Sequence, residues 1–116
     1  MAKNAFGHVE WACKDIEKAK TFFGTLFGWS FRPYGEDYYI IKTPEGIRGG
    51  LMQVDKVEPG NATVVYVEVE DIDNCLEKVQ ELGGAVLIPK TALPDMGWYA
   101  QFTDLDGRPI GLFESE

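Results

Sequence analysis

The chain has 116 residues, of which 45% are hydrophobic and 26% charged, a composition typical of one soluble globular domain. Nineteen acidic and 11 basic residues give a formal net charge of -8 at pH 7, and because no Lys/Arg cluster is present, we exclude nucleic acid as a partner. No apolar run reaches the roughly 18 residues of a membrane span, and the first residues lack the apolar core of a signal peptide. We therefore expect a cytoplasmic protein with no membrane partner and two reduced cysteines, Cys13 and Cys75.

The first predicted elements are a short apolar strand at His8 and an amphipathic helix near residues 15–27. Asp15 is a good N-cap, since its carboxylate can accept hydrogen bonds from the free amides of the first turn, and Gly28 supplies a stop. The apolar residues of this helix recur at helical spacing, and they are Ile16, Ala19, Phe23 and Phe27.

A strand, a turn and a second strand follow in the segment YYIIKTPEGIRGGLM, which begins at Tyr38. The turn at residues 43–46 ends in glycine, as turns often do. Residues 55–63 then read as a linker, because Pro59-Gly60 breaks regular structure there.

The second half of the chain repeats the order of the first. Val64 matches His8 at an offset of 56, and a second helix is predicted near residues 71–82 with Asp71 as its N-cap. A second strand-turn-strand segment, from Tyr99, matches the first at an offset of 61, which aligns Gly111 with Gly50. The second half thus has five additional residues, which we assign to a loop at residues 89–98.

These repeats predict a single domain over residues 1–116. Its first module covers about residues 5–54, the linker 55–63, and the second module about residues 64–114. Each module reads as a strand, a helix and then two or three strands. This order favours an α+β fold with helices on one face of mainly antiparallel sheets.

The chain resembles the vicinal oxygen chelate superfamily, which includes glyoxalase I, fosfomycin and bleomycin resistance proteins, and extradiol dioxygenases. The segments that carry the resemblance are VEWACKDIEKAKTFFGTLFGW, VVYVEVEDIDNCLEKVQELGG and MGWYAQFTDLDGRPIGLFE, and the last is closest to a glyoxalase-related branch of unknown substrate. The resemblance implies two tandem βαβββ modules that form a curled mixed sheet with a cleft, and a homodimer. One departure is the turn at residues 104–108, where Leu105 stands in place of the usual proline and should leave the turn less preorganised.

Superfamily enzymes usually hold a divalent metal with His and Glu residues on the first and last strands of each module. The resemblance places these positions at His8, Gly50, Val64 and Gly111, and the repeat offsets pair them in the same way. Only His8 has a metal-binding side chain, whereas a catalytic metal normally takes about three protein ligands. We therefore predict no metal and no cofactor. Glu114 and Gln53 do not fill the gap, because alternation turns them to the opposite face.

The inward face is predicted to carry ligand-binding residues instead. Strand alternation gives His8, Glu10, Tyr66 and Glu68, and position beside the variable loop gives Trp98. The resemblance places Gly50 and Gly111 where the cleft is deepest. The glycines leave room for a ligand or let strands pack closely. His8 is also consistent with a structural or surface role, and the two glutamates with solvated side chains or with ion pairs to Arg32 or Arg48. Trp98 and Tyr99 are either a ligand lid or the start of a packed strand.

Two functions fit this set of residues. The first is a metal-free module that binds a small, partly aromatic or amphipathic molecule in the cleft between the modules. The alternative is a glyoxalase-type lyase or isomerase acting on a small carbonyl compound, with His8 and Glu10 as candidate catalytic residues for proton transfer. A purely structural role in a partner-binding dimer is also left open.

Overall fold

The structure is a computed structural model that describes residues 3–116; residues 1 and 2, with which the predicted domain begins, lie outside the described part. The order strand, helix and three strands occurs twice, which confirms the predicted α+β fold of two tandem βαβββ modules. The elements are β1 (Ala5–Cys13), α1 (Ile16–Phe27), β2 (Ser30–Pro33), β3 (Tyr38–Lys42), β4 (Arg48–Gln53), β5 (Thr63–Glu68), α2 (Ile72–Glu81), β6 (Ala85–Leu93), β7 (Gly97–Thr103) and β8 (Pro109–Ser115). Neither helix is long and apolar enough to cross a membrane, a finding that covers residues 3–116.

The chain divides into two compact units, which we describe separately. The first unit is His8–Val64, and the second unit consists of residues 65–116 together with residues 3–7. In the first unit the strand order is β2-β3-β4-β1, with antiparallel pairs except for the parallel pair β1–β4. In the second unit the order is β6-β7-β8-β5, and β5–β8 is the parallel pair.

Both helices begin where the sequence predicts. The carboxylate of Asp15 accepts a hydrogen bond from the Lys18 amide at 3.1 Å, and that of Asp71 accepts one from the Asn74 amide at 3.1 Å. The first helix ends at Gly28, whose φ of 71° is the left-handed conformation that glycine adopts without a steric penalty. The predicted N-caps and the stop at Gly28 are confirmed.

Each unit buries one face of its sheet against its own helix. In the first unit the buried residues are Ile16, Ile41 and Leu51, with Trp11, Cys13, Ala19, Phe23, Trp29, Phe31 and Tyr39 packed around them. In the second unit they are Val69, Ile72, Leu76, Ala100 and Leu112. Since strand residues alternate, the residues between these core positions lie on the face opposite the helix. That face carries the candidate site.

The five additional residues of the second half do not form the predicted loop at residues 89–98. They lengthen a strand: β6 has nine residues where β2 has four, and only residues 94–96 separate β6 from β7. Strand pairing satisfies backbone groups that a loop would leave to solvent. The β6–β7 register shifts between Ile88 and Thr91. Pro89 lies within that shift, where its missing amide hydrogen disrupts no regular ladder.

The turn between β7 and β8 is well held with Leu105 at the position where the resemblance led us to expect proline. The Asp104 carboxylate accepts hydrogen bonds from the Asp106 amide at 3.0 Å and the Arg108 amide at 2.9 Å. The Arg108 guanidinium lies 2.9 Å from the same carboxylate. The hydrogen bond from the Arg108 amide is the main cause that lowers the pKa of Asp104. The side chain of Asp104 thus supplies the local order expected to be missing.

Candidate functional site

A chain of three hydrogen-bonded side chains lies on the face of the first unit opposite α1. The Nε2 atom of His8 is 2.8 Å from the hydroxyl of Tyr38, which donates to Oε1 of Glu10 at 3.0 Å. His8 and Glu10 are two residues apart on β1, so both point to the same side, and Tyr38 reaches them from β3. With the Tyr38 proton directed at Glu10, the His8 Nε2–H is the group that donates to the Tyr38 oxygen. We call this set the His8–Tyr38–Glu10 chain.

Burial shifts the pKa values of His8 and Glu10 in the directions that favour the neutral form of each side chain. Glu10 is 8% exposed. Desolvation raises the pKa of Glu10, while the hydrogen bond from Tyr38 partly offsets that rise. Desolvation, assisted by the positive charge of Arg48, lowers the pKa of His8 to about 4. At neutral pH His8 is therefore an uncharged imidazole that can donate and accept hydrogen bonds.

The space at Gly50 is occupied by the side chain of Tyr38. Gly50 pairs with Glu10 on one side and with Ile40 on the other, so it lies at the centre of the sheet. A Cβ atom built at Gly50 would overlap the hydroxyl and ring of Tyr38. The glycine is thus what allows Tyr38 to reach Glu10 and His8. At Gly50 the missing side chain therefore makes room for a tyrosine, whereas the sequence interpretations were room for a ligand or close packing of strands.

The second unit has a related arrangement at the matching position. Gly111 pairs with Tyr66 across the parallel strands β5 and β8, and a Cβ atom at Gly111 would overlap the Tyr66 ring. The Tyr66 hydroxyl accepts a hydrogen bond from Nε2 of Gln101 at 2.9 Å. Tyr66 is 6% exposed, so it is a buried residue with a satisfied hydroxyl. Here too the glycine makes room for a tyrosine.

Glu68 is the second buried carboxylate and has a partner that the sequence did not suggest. It is 9% exposed, and its Oε2 atom lies 3.2 Å from the Nζ atom of Lys3. From the sequence, ion pairs with Arg32 or Arg48 were one alternative for Glu10 and Glu68. The observed partners are Tyr38 for Glu10 and Lys3 for Glu68. Strand register explains the difference, because Arg48 pairs with His8, not with Glu10.

Trp98 lies on the helix-facing side of its strand. It packs against the buried cluster beneath α2, and the Nζ atom of Lys90 lies 4.7 Å from its ring centroid. It is therefore on the helix-facing side of the second unit, opposite to Tyr66. Its neighbour Tyr99 alternates to the same face as Gln101. The structure favours the packed-strand interpretation of Trp98 over a ligand lid.

Gln53 and Glu114 hold the two helix N-termini. The Ile16 amide donates to Oε1 of Gln53 at 3.0 Å, and the Ile72 amide donates to Oε1 of Glu114 at 2.9 Å. Both side chains lie on the helix-facing side of their sheets, which confirms the prediction from alternation. Glu114 also suits its position electrostatically, since a carboxylate is stabilised near a helix N-terminus.

The residues at the four expected metal positions do not fit a divalent metal. Gly50, Val64 and Gly111 have no donor atom, and the first and last of these are covered by tyrosine side chains. Around His8 the additional oxygen donors are Glu10 and Tyr38, and both are engaged with each other. Residues 3–116 bring together no group of three or more His, Cys, Asp or Glu side chains that could hold a metal ion.

Two residues of the site were missed by sequence reasoning, namely Tyr38 and Gln101. Strand alternation could have found Tyr38, because it is two residues from Ile40, which pairs with Gly50. The same argument applies to Gln101, which pairs directly with Gly111. What the sequence could not give is the direction of the Tyr38 side chain, which crosses a strand to reach Glu10.

Comparisons with known proteins agree with this fold. The family model described as Glyoxalase/Bleomycin resistance protein/Dioxygenase superfamily matches residues 5–112. The chain is 28% identical over 117 aligned residues to "Putative glyoxylase CFP32" of Mycobacterium bovis, an alignment that covers 92% of this chain and 44% of that protein. The chain thus spans less than half the length of this relative.

Solved structures show the same fold at lower identity. Methylmalonyl-CoA epimerase from Mycobacterium tuberculosis superposes with a TM-score of 0.78 and 15% identity, covering 100% of this chain and 93% of the epimerase. The Mn(II)-bound glyoxalase from Novosphingobium aromaticivorans gives a TM-score of 0.73 and 16% identity, covering 97% of this chain and 39% of that one. These likenesses concern the fold, and the family match settles membership: the chain belongs to the glyoxalase/bleomycin resistance protein/dioxygenase superfamily.

Proposed function

We propose that this chain binds a small molecule on the face of the first unit that carries His8, Glu10 and Tyr38, and that its site works without a divalent metal. The observation that supports this most is the His8–Tyr38–Glu10 chain, in which Glu10 is buried and His8 and Tyr38 are partly buried. Apolar side chains of similar volume would pack there without the desolvation cost of two ionisable groups. Polar groups retained at such a cost are typical of a site that orients a ligand.

The first prediction concerns binding. Small molecules that raise the melting temperature of the wild-type protein should stabilise Tyr38→Phe and Glu10→Gln much less, because each substitution breaks the hydrogen-bonded chain. Loss of one hydrogen bond to a charged or buried partner weakens binding by about 1.5–3 kcal/mol, which is about tenfold or more. Ligand-induced thermal shifts and isothermal calorimetry measure the change.

Tyr39→Phe is the matched control for this experiment. Tyr39 adjoins Tyr38, but its hydroxyl donates to Glu17 at 2.8 Å on the α1 side. Its removal should leave ligand affinity unchanged. Ligands that bind Tyr38→Phe as tightly as wild type would contradict the proposed site.

The second prediction concerns metal. Added chelator should leave the melting temperature of the purified protein unchanged, since the four expected ligand positions offer a single donor side chain. A metal bound only to the folded state would add stability by mass action, and its removal would lower the melting temperature. A drop of several degrees with chelator, restored by Zn²⁺ or Ni²⁺, would show that metal is bound by other residues.

A glyoxalase-type lyase or isomerase is the second candidate function, and the environment of Glu10 favours it. A carboxyl group with a raised pKa, hydrogen-bonded to a tyrosine hydroxyl, is suited to accept and return a proton beside a carbonyl group. The third prediction concerns this proton transfer. It is measured as deuterium uptake from solvent at the carbon next to the carbonyl group of a test substrate. Glu10→Gln should abolish that uptake, and Tyr39→Phe should preserve it.

The remaining assignments concern assembly, location and the second unit. We propose a homodimer, on the family resemblance, and a cytoplasmic location, on composition. Tyr66, Glu68 and Gly111 of the second unit also stay proposed ligand contacts. In the structure Tyr66 fills the space at Gly111, and Glu68 is paired with Lys3.

A further inference from the structure

Three exposed basic side chains share the face of the first unit that carries the His8–Tyr38–Glu10 chain. They are Arg32, Lys42 and Arg48. Arg48 pairs with His8 across β1 and β4, and Arg32 pairs with Ile40 across β2 and β3. No ion pair joins any of the three to an acidic side chain within residues 3–116.

Lys42 and Arg48 are neighbours of like charge. The last registered pair of β3 and β4 is Ile41 with Gly49, so the next position along the ladder sets Lys42 opposite Arg48. Like charges directly across a strand pair destabilise a sheet. With His8 on the other side of Arg48, the row Lys42, Arg48 and His8 crosses three adjacent strands. The row contains no acidic residue that would neutralise it.

The positive charge on the face that carries Arg32, Lys42 and Arg48 does not follow from the overall composition of the chain. The protein carries a net charge of -8. The His8–Val64 segment has seven basic and eight acidic residues, whereas the rest of the chain has four basic and eleven acidic residues. Among the strand residues that alternate onto this face of the first unit, Glu10 is the one acid, and it is buried and bonded to Tyr38. A local excess of positive charge on an acidic protein favours an anionic ligand.

We propose that the ligand of this face carries an oxyanion, a carboxylate or a phosphate, that binds Arg48 and Lys42 beside His8. The inference rests on the proposed function and narrows it to a ligand class. The Arg48 guanidinium can donate two parallel hydrogen bonds to a planar oxyanion, and Lys42 adds a point charge. Bound anion would replace the repulsion between the two cations with attraction. The rest of the ligand then lies against the His8–Tyr38–Glu10 chain.

The test uses NMR signals of the single histidine as a local reporter. Propionate, malonate, benzoate and inorganic phosphate are titrated at constant ionic strength, each carboxylate with its neutral amide as control. Oxyanions should shift the His8 ring signals saturably, and the amides should bind at least about tenfold more weakly. Arg48→Gln should weaken oxyanion binding by at least about tenfold. Arg108→Gln is the matched control, because Arg108 is exposed and bonded to Asp104 in the second unit.

Unliganded variants supply a second measurement. Arg48→Gln and Lys42→Gln should each melt higher than wild type at low salt, and the gain should shrink at high salt as the repulsion is screened. If phosphate binds with an affinity equal to that of the carboxylates, the natural ligand carries a phosphate group. If only the carboxylates bind, the natural ligand is an organic acid. The inference is overturned if the amides bind equally, if Arg48→Gln leaves binding unchanged, or if neither variant melts higher. Neutral molecules that bind and lose affinity in Tyr38→Phe would overturn it while leaving the proposed function standing.

Discussion

Replacing Gly111 with alanine should destabilise the protein by about 1–3 kcal/mol or more, as overpacking a filled site does. The added Cβ atom would overlap several atoms of the Tyr66 ring, including the one attached to the Tyr66 Cβ. Because strand pairing of Tyr66 with Gly111 fixes both backbones, relief of the overlap requires a different χ1 rotamer of Tyr66, which would break the hydrogen bond from Gln101 to the Tyr66 hydroxyl. Chemical denaturation of the two proteins measures the difference in unfolding free energy.

A double-mutant cycle tests the cause of that loss. If the Tyr66 ring is the obstacle, Gly111→Ala should cost much less in a Tyr66→Ala background, and the two effects should not add. Gly60→Ala is the control, since a Cβ atom there would meet nothing within 4 Å. We expect its effect to stay within about 0.5 kcal/mol. A Gly111→Ala protein as stable as Gly60→Ala would show that the space at Gly111 is available, which is the ligand-room interpretation.

The fold was predictable because its signals are local and occur twice. Asp15 and Asp71 mark both helix starts, and the repeat offsets place both modules. The alternation along β1 and β5 also assigned faces correctly, with Val67 and Val69 toward α2 and His8 and Glu10 away from α1. Each of these inferences depends on backbone geometry alone.

The site was predicted less well because it depends on which distant residues each side chain contacts. Gly50 and Gly111 were open to two interpretations, room for a ligand and close packing of strands, whereas the structure shows a tyrosine side chain in the space beside each glycine. The partner of Glu10 lies 28 residues away on a different strand, and that of Glu68 lies 65 residues away. Trp98 was assigned by its place beside a supposed loop, and that loop is a strand. Long-range register and loop-or-strand choices of this kind are weakly encoded in single-sequence patterns.

The His8 imidazole should titrate with a midpoint near pH 4, well below the ordinary value of 6.5. Burial in the His8–Tyr38–Glu10 chain disfavours the charged imidazolium, and Arg48 adds repulsion. Because His8 is the only histidine, its ring signals in a tag-free protein can be followed by NMR without assignment. At neutral pH a single neutral tautomer should be present, with the proton on Nε2.

The same shift predicts how stability depends on pH. A folded-state pKa near 4 and an unfolded one near 6.5 mean that the unfolded chain binds the proton more strongly. The stability associated with neutral His8 is therefore fully present above about pH 6.5 and is lost as the pH falls toward 4. At about 1.4 kcal/mol per pKa unit, the loss is at most on the order of 3 kcal/mol. Unfolding free energies from pH 7 to pH 4, compared between wild type and His8→Gln, isolate this contribution.

Glu10 has the opposite effect on the pH dependence of stability, so its substitution provides a second test. Its pKa is raised in the folded state, so the folded protein holds that proton more strongly, and protonation of Glu10 stabilises the fold as the pH falls. Glu10→Gln removes this opposing effect. Its stability should therefore fall more steeply than that of wild type below pH 6.5, whereas His8→Gln should fall less steeply. A His8 midpoint between pH 6 and 7, with parallel stability curves for all three proteins, would mean that water reaches the imidazole and that the buried chain does not exist in solution.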